Sequence, residues 1–333
     1  MINVCNLTKE FKTNKKYPGF KGAIKSLFST EYTVTRAVDS MNFKIEEGEV
    51  VGYIGSNGAG KSTTIKMMTG ILTPTSGKVE VDGIIPYEKR TENAMNIGVV
   101  FGQRTQLWWD LPLSETFSLL RDIYNVSQKD FEERMKFFNE VLGIDEFMLR
   151  PVRTLSLGQR MRADLAASLI HNPKILYLDE PTIGLDVVVK EKVRNAIKEI
   201  NKKYNTTVIL TTHDLEDIEE LCDRIIIIDK GVKIYDGGLK EIKEQYGYMT
   251  TVSIMVKQSE LYKKVDINKS LNLESNDLSY ETGDGKIIVT FNKNKVSSTE
   301  IIEFFMKNYS IQDFSLKETS IDDIIKKIYR KEV

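Results

Sequence analysis

One glycine-rich segment restricts the folds open to this chain more than any other feature: residues 55–63 read GSNGAGKST and satisfy G-x-x-x-x-G-K-[ST]. An apolar run at 50–54 precedes the segment, and a helical pattern at 62–72 follows it. Glycines at these spacings let successive backbone N–H groups turn inward around a phosphate, and the following helix presents its positive end. A flexible glycine turn is the alternative, but the flanking strand and helix favour a phosphate-binding loop.

This loop predicts the main contacts to the phosphates of a nucleotide. We expect Lys61 to reach the β and γ phosphates and the Ser62 hydroxyl to ligate Mg²⁺. The loop residues predicted to contact the nucleotide are Gly55, Ser56, Asn57, Gly58, Ala59, Gly60, Lys61, Ser62 and Thr63.

Apolar runs alternate with helical patterns around and after the loop. The runs at 50–54, 175–178, 208–212 and 225–228 are nearly all apolar, as expected for parallel strands covered on both faces. Helical patterns lie at 129–142, 161–170, 188–204 and 215–223. The alternation predicts a doubly wound α/β core.

Two acids, Asp179 and Glu180, directly follow the apolar run ILYL. A carboxylate at the end of a buried strand beside a phosphate loop is where such enzymes hold Mg²⁺, so Asp179 is the predicted metal ligand. Glu180 leaves the strand end and is the predicted general base for the attacking water. A strand end carrying solvated acids is the alternative, and the upstream phosphate loop makes it the weaker one.

Four further segments accompany these motifs. Residues 155–159 read LSLGQ, 181–186 read PTIGLD, 211–214 read TTHD, and Gln103 lies in VVFGQRTQL. With all of them in this order, the sequence over about residues 1–240 resembles the ABC ATPase family. The resemblance implies an α/β fold with a P-loop NTPase core, a helical subdomain at about 104–172, and ATP and Mg²⁺ as cofactors.

The resemblance also implies roles for residues outside the loop. His213 is expected to sense the γ-phosphate and hold the attacking water, and Gln103 to contact Mg²⁺ and that water. A Ser-x-Gly-Gln turn that opens a helix offers N–H groups and a hydroxyl to a phosphate. In the resembled family this turn closes over ATP bound to the other protomer. The residues expected to act on that shared nucleotide or across the dimer interface are Ser156, Gly158, Gln159 and Asp186, with Leu157 in place of the usual glycine.

Two questions about aromatic residues remain open. Phe11 best matches the family's adenine-stacking aromatic, with Tyr17 and Tyr32 as rivals and a plain core residue as the alternative reading of Phe11. Trp108 and Trp109 either anchor a membrane partner, if they are exposed, or fill the helical subdomain, if they are buried. His171 matches no catalytic motif and is interpreted as structural.

Bulk properties argue against nucleic-acid binding, a disulfide framework and a membrane-spanning helix. The formal net charge of −1 gives no sign of nucleic-acid binding. Cys5 and Cys222 are far apart and are interpreted as reduced core thiols of an intracellular protein. No run approaches the roughly 18 apolar residues of a membrane helix, so we expect any membrane role to need a partner.

The chain is predicted to contain two domains. Residues 1–246 form the nucleotide-binding domain, with a basic insertion at about 12–31, and 247–333 form a small α+β domain. In that second domain, strand patterns lie at 250–256 and 286–291 and helical patterns at 298–307 and 321–329.

The segments FGQRTQLWWDLP and LSLGQRMRADLA are similar to ATP-binding subunits of ABC-2-type transporters. This implies an ATPase that pairs as a homodimer, works with separate transmembrane permease subunits, mostly for export, and lies on the inner, cytoplasmic face of the membrane. An importer ATPase with a regulatory C-terminal domain and a soluble ABC ATPase are the alternatives.

Overall fold

The computed structural model describes residues 1–14, 32–102, 104–260, 267–271, 273–274, 277–283 and 285–330. They belong to two compact units, Met1–Gly237 and Gly238–Val333. The sequence placed the domain boundary between residues 246 and 247. The structure instead places the boundary between Gly237 and Gly238, so the helix Leu239–Tyr246 belongs to the second unit and not to the first.

The first unit is a mixture of strands and helices. Its strands are β1 (Ile2–Asn14), β2 (Tyr32–Ile45), β3 (Val50–Gly55), β4 (Ser76–Val81), β5 (Ile97–Phe101), β6 (Ile175–Asp179), β7 (Thr207–Thr211), β8 (Arg224–Asp229) and β9 (Val232–Gly238). Its helices are α1 (Lys61–Met68), α2 (Arg90–Asn96), α3 (Leu113–Ile123), α4 (Gln128–Leu142), α5 (Leu157–Leu169), α6 (Val187–Tyr204) and α7 (Leu215–Leu221).

A six-stranded sheet in the order β5-β6-β7-β3-β8-β9 forms the centre of this unit. The pairs from β5 to β8 are parallel, and β6 and β7 are almost entirely buried, which explains their unbroken apolar sequences. Parallel strands bring their carboxyl ends to one edge of the sheet, where ligands bind in open α/β folds. The phosphate loop, Asp179 and Thr211 therefore meet at that edge.

A second, antiparallel sheet in the order β2-β1-β4 was not predicted. Its inward side chains, among them Val4, Phe43 and Val79, join the same hydrophobic core as α1 and the large sheet. Register shifts interrupt the pairing of β1 with β2, so no clean alternation of apolar and polar residues appears in the sequence. Residues 12–14, predicted to begin an insertion, are the end of β1, and the remainder of that insertion, 15–31, lies outside the described residues.

The predicted helical subdomain at 104–172 contains α3, α4, α5 and two short 3₁₀ turns. Ser127 caps the N-terminus of α4, and Gly143 ends it with a positive φ of 60°. Ser156 caps α5, which begins within LSLGQ. The Ser-x-Gly-Gln turn that the sequence predicted to open a helix thus lies at a helix start.

The second unit contains α8 (Leu239–Tyr246), β10 (Met249–Val256), α9 (Ile267–Leu271), β11 (Leu278–Gly283), β12 (Lys286–Asn292), α10 (Ser298–Asn308), β13 (Ile311–Glu318) and α11 (Ile321–Arg330). The strands form an antiparallel sheet in the order β11-β12-β10-β13. One face of β10 and β12 packs against α10 residues such as Ile301 and Phe305. The two central strands and two of the helices match the sequence prediction, whereas the mostly exposed edge strands β11 and β13 gave no pattern.

Within the described ranges, no helix has both the length and the apolar character needed to cross a membrane.

Candidate nucleotide site

The loop after β3 has the backbone that its glycines allow. Gly58 and Gly60 have φ values of 82° and 105°, a region that residues with a side chain rarely adopt. A Cβ on Gly60 would lie 2.4 Å from the carbonyl oxygen of Ala37, so glycine is required there for close packing as well. Ala59 is buried in the hydrophobic core and so ties this part of the loop to it.

Lys61 is held against its own loop. Its Nζ donates hydrogen bonds to the carbonyl oxygens of Gly55, at 2.6 Å, and Ser56, at 3.3 Å. Burial lowers the pKa of the Lys61 ammonium, while the nearby charges of Glu180 and Asp179 act in the opposite direction. The Lys61 ammonium is thus placed inside the loop, where a cation can neutralise phosphate charge.

Asp179, at the end of β6, faces the first turn of α1. Its Oδ2 lies 3.4 Å from the Ser62 hydroxyl, and its Oδ1 accepts a hydrogen bond from Thr211 Oγ1 at 2.5 Å. The described residues contain no group of three or more His, Cys, Asp or Glu side chains that could hold a metal alone. One carboxylate and one hydroxyl suit Mg²⁺, which is usually bound by one or two protein oxygens together with substrate phosphates. Ser62 and Asp179 therefore fit this ion.

Glu180 and His213 contact each other beside the metal ligands. His213 Nε2 lies 3.2 Å from Glu180 Oε1, and the His213 backbone N–H donates to Glu180 Oε2 at 3.3 Å. Glu180 has a φ of 58°, an uncommon value for a residue with a side chain and a form of strain that concentrates at functional sites. Burial raises the pKa of Glu180, which makes its carboxylate a stronger base.

These side chains line a cavity of about 940 Å³. Its lining includes loop residues Ser56, Asn57, Gly58, Gly60, Lys61, Ser62 and Thr63, the acids Asp179 and Glu180, and His213. Gly55 and Ala59, also predicted to contact the nucleotide, are not part of this lining; Gly55 instead accepts the Lys61 hydrogen bond. Residues that the sequence did not identify complete the lining, among them Ala37, Lys66, Ile71, Leu72 and Arg104. They carry no local motif that would have revealed them.

Of the three candidate aromatic residues, Phe11 lines the cavity. Its ring is 39% exposed, so it is not the plain core residue of the alternative interpretation. Tyr32 is absent from the described lining, and the Lys12 ammonium lies 4.8 Å from the centre of its ring. Tyr17 lies outside the described residues.

The LSLGQ residues lie elsewhere in the first unit. Ser156 Oγ accepts a hydrogen bond from the Gln159 N–H at 3.2 Å, and Gln159 Oε1 accepts one from the Ser156 N–H at 3.0 Å. A Cβ on Gly158 would come within 2.9 Å of Val189, and the Val189 N–H donates to Asp186 Oδ1. None of the predicted residues Ser156, Gly158, Gln159 and Asp186 is in the described lining of the cavity.

Gln103 itself lies outside the described residues, but the segment after it is fixed to α5. The buried carboxylate of Asp164 accepts hydrogen bonds from Thr105 Oγ1, at 2.9 Å, and from the Gln106 N–H, at 3.1 Å. Burial raises the pKa of Asp164 to about 6, and these hydrogen bonds oppose the rise. No sequence motif had marked Asp164.

The two tryptophans are exposed, Trp108 by 40% and Trp109 by 49%. The alternative that they fill the helical subdomain is therefore wrong. The guanidinium of Arg160, on α5, lies 5.9 Å from the ring centre of Trp109.

Two other sequence expectations have clear outcomes. His171 occupies a structural position: it stacks on Tyr124 with ring centres 3.9 Å apart, and its Nε2 lies 3.0 Å from the carbonyl oxygen of Ile97. Cys222 is buried as expected, but Cys5 is exposed, so its interpretation as a core thiol is wrong. Cys5 lies on β1 at a position that points away from the core.

Comparison with known proteins identifies the family. Residues 38–183 match the family model described as "ABC transporter". The chain is 34% identical over 217 residues to the ABC transporter ATP-binding protein NatA of Bacillus subtilis, with 65% of this chain and 88% of that protein covered. ABC transporter A family member 7 of Dictyostelium discoideum is 32% identical over 88% of this chain, which spans only 35% of that relative's length.

Solved structures agree with this assignment. The ATP-binding cassette MJ0796, solved as a dimer in a post-hydrolysis state with ADP and Pi, is 27% identical and superposes with a TM-score of 0.59. The superposition covers 72% of this chain and 99% of the MJ0796 chain. Together with the matched motifs, these similarities show that the chain belongs to the ATP-binding proteins of ABC transporters and is an ATPase that uses ATP with Mg²⁺.

Proposed function

We propose that this ATPase works as a head-to-tail homodimer and drives transport, in the export direction, through separate membrane subunits. One observation carries the dimer: the residues of LSLGQ form a complete helix N-terminus that the cavity of the same chain does not include. A helix N-terminus is a ready anion site, and a two-fold dimer would place it over the partner's phosphates. The dimeric structure of MJ0796 supports this arrangement.

Hydrolysis follows from the residues that meet at the sheet edge. The Glu180 carboxylate accepts a proton from water as the water oxygen bonds to the γ-phosphorus and the bond to the ADP oxygen breaks. His213, 3.2 Å from that carboxylate, orients the water and stays in contact with Glu180. Lys61 stabilises the negative charge on the phosphates. Mg²⁺, held by Ser62, Asp179 and Gln103, would neutralise charge on the β and γ phosphates when bound.

The transport role rests on a surface and on relatives. Trp108 and Trp109 form an exposed aromatic pair, the kind of residue that anchors protein partners. A structural relative, cbiO1 of Clostridium perfringens, is described as part of the ABC transporter complex cbiONQ; it is 27% identical, and the match covers 73% of this chain and 90% of that one with a TM-score of 0.59. The ABC-2-like segments around these tryptophans favour export. The protein would then lie on the inner face of the cell membrane, with no nucleic acid as partner.

A mixing experiment tests the dimer. Lys61→Ala removes one half of a site and Ser156→Arg the other. If Ser156 acts on the partner's nucleotide, heterodimers of the two inactive proteins contain one intact site, and an equal mixture recovers about a quarter of wild-type ATPase activity. A chain that carries both substitutions is the matched control, since its heterodimers with wild type would have both sites broken. Mixed equally with wild type, the control should keep only the quarter of activity that wild-type homodimers supply. About half of wild-type activity in the control, with none in the mixture of the two single variants, would show that Ser156 acts within its own chain.

Purification of the tagged chain from a detergent extract tests the membrane partner. We expect an integral membrane protein to co-purify, and to be lost when Trp108 and Trp109 are both changed to Ala. Leu149→Ala, at a more exposed apolar position, is the control that should leave it bound. If no membrane protein co-purifies with the wild type, the transport role is wrong, while the ATPase chemistry stands.

A further inference from the structure

A second cavity lies within the C-terminal unit, in which the sequence analysis found no catalytic motif. Its volume is about 410 Å³, within the range of pockets that hold small ligands. One side is the open face of the four-stranded sheet, where Thr251 pairs with Thr290 on one neighbouring strand and with Lys317 on the other. Directly opposed residues on antiparallel strands share a face, so these side chains form one row. The two threonine hydroxyls are 3.1 Å apart.

The other side of the cavity is the polar face of α11. The apolar face of this helix is buried through Ile321, Ile324 and Ile325. The opposite positions, at helical spacings of three and four, line the cavity: Asp323, Lys326, Lys327 and Arg330. The cavity thus separates the polar face of an amphipathic helix from a row of hydroxyl and ammonium groups.

Charge in the cavity is predominantly positive. Four basic side chains, Lys317, Lys326, Lys327 and Arg330, line it against two acidic ones, Glu318 and Asp323, an excess of two positive charges. The Ser320 hydroxyl donates to Asp323 at 2.7 Å and lowers its pKa, and Lys326 pairs with Asp322, four residues earlier on the same helix. Within the part of the chain that the structure describes, Lys317 and Lys327 have no ion-pair partner.

We propose that this cavity binds a ligand through a phosphate group. The ammonium groups of Lys317 and Lys327, a guanidinium and two threonine hydroxyls supply the charged and neutral donors that phosphate oxygens accept. All lining residues belong to the second unit, so the site is separate from the ATP cavity. The phosphate belongs either to a free small molecule or to the headgroup of an anionic lipid, which share this chemistry.

The full chain with Lys61→Ala tests the proposal, because that background weakens phosphate binding at the ATP loop. Glycerol 3-phosphate is the soluble probe, measured by calorimetry at low salt, and phosphatidylglycerol vesicles, compared with phosphatidylcholine vesicles, are the lipid probe. We expect Lys317→Gln with Lys327→Gln to weaken binding of the recognised probe at least about 10-fold, since charge-assisted hydrogen bonds are lost. Lys293→Gln with Lys307→Gln, two exposed lysines of the same unit outside the cavity, is the control of equal charge.

Each outcome decides the matter. Binding of glycerol 3-phosphate that only the cavity variant loses supports a small-molecule ligand. Binding confined to phosphatidylglycerol vesicles, again lost only in that variant, supports a lipid headgroup. Equal loss in the cavity variant and the control, or no binding of either probe, overturns the proposal. Thermal unfolding of each variant verifies that a loss of binding is not a loss of fold.

Discussion

The two halves of the proposed ATPase site differ in how their side chains are held. The catalytic half consists of Lys61, Ser62, Asp179, Glu180 and His213, which line one cavity. Within it, Ser62 contacts Asp179 and His213 contacts Glu180. The capping half consists of Ser156, Gln159 and Asp186, whose side chains bond to the first turns of α5 and α6. The catalytic half is assembled within one chain, whereas the capping half consists of helix N-termini whose capping hydrogen bonds are already formed.

Because of this difference, we expect ATP binding and ATP hydrolysis to depend on different halves of the site. The catalytic half already contains the phosphate loop and the metal ligands, so we expect one chain to bind ATP alone. The capping half has its own hydrogen bonds satisfied without nucleotide, so its geometry is prepared before any partner arrives. Substitutions in the two halves should therefore have different signatures.

The largest effect is expected for Glu180→Gln. The amide cannot accept the proton from water, so ATP hydrolysis should fall by at least about 100-fold, in the range that general bases contribute. ATP binding should persist because Lys61 and the loop are unchanged, and a closed dimer should accumulate on gel filtration.

Glu133→Gln, at an exposed position on α4, is the matched control and should keep full activity. Turnover of Glu180→Gln at the wild-type rate would show that another group activates the water. The proposed catalytic half would then need a different base.

Two capping serines offer a sharper comparison. Ser156 caps α5 and Ser127 caps α4, and each accepts a hydrogen bond from a backbone N–H three residues later, at 3.2 Å and 3.1 Å. Changing either to Ala should lower stability by about 1 kcal/mol, measured by urea unfolding. Only Ser156→Ala should also lower ATPase activity, by about 10- to 100-fold, through loss of a hydrogen bond to a charged phosphate.

A similar loss of activity in Ser127→Ala would contradict this reading, since Ser127 has no expected contact with nucleotide. It would mean that any weakened cap in the helical subdomain slows the enzyme. The two halves of the site would then not be separable in this way.

Much of the catalytic half was predictable because its chemistry restricts local sequence. Gly58 and Gly60 are required by positive φ values, and Asp179 is the last residue of a strand that is otherwise buried on both sides. Ile71, Leu72 and Ala37 were not predictable, since they line the cavity without belonging to a motif. Apolar residues that touch a ligand look the same in sequence as those of a core.

The strands of the fold also differ in how well the sequence predicted them. The parallel strands appear in the sequence as unbroken apolar runs, such as the one that forms β6. The antiparallel strands β1 and β13 do not, because bulges interrupt the first and solvent covers most of the second. Asp164 illustrates the limit for single residues: a buried acid within a helix is meaningful only once its partners Thr105 and Gln106 are known.

Phe11→Ala should have a smaller effect than loss of Ser156. Removal of a ring that stacks on adenine should raise KM for ATP by about 10-fold and leave kcat nearly unchanged, because the ring does not touch the reacting atoms. Tyr32→Ala, on the neighbouring strand but outside the described lining, is the control and should alter neither constant. If Tyr32→Ala raises KM and Phe11→Ala does not, the adenine lies on the rival aromatic.

The smallest effect concerns the junction between the halves, where His171 follows α5 and contacts the start of β5. Burial lowers the pKa of His171 to about 4 from 6.5, so on acidification the unfolded chain takes up this proton before the folded one does. Stability should therefore fall as the pH drops below about 6.5, with His171 contributing roughly 1 kcal/mol between pH 8 and pH 6. Urea unfolding of His171→Gln, which retains a donor for the Ile97 carbonyl, should show a fall in the free energy of unfolding that is smaller by that amount.

The difference between the two proteins is the relevant measurement because the raised pKa of Asp164 acts with the opposite sign near pH 6. Equal pH dependence in both would mean that His171 is protonated in the folded protein, and that the junction carries a buried charge.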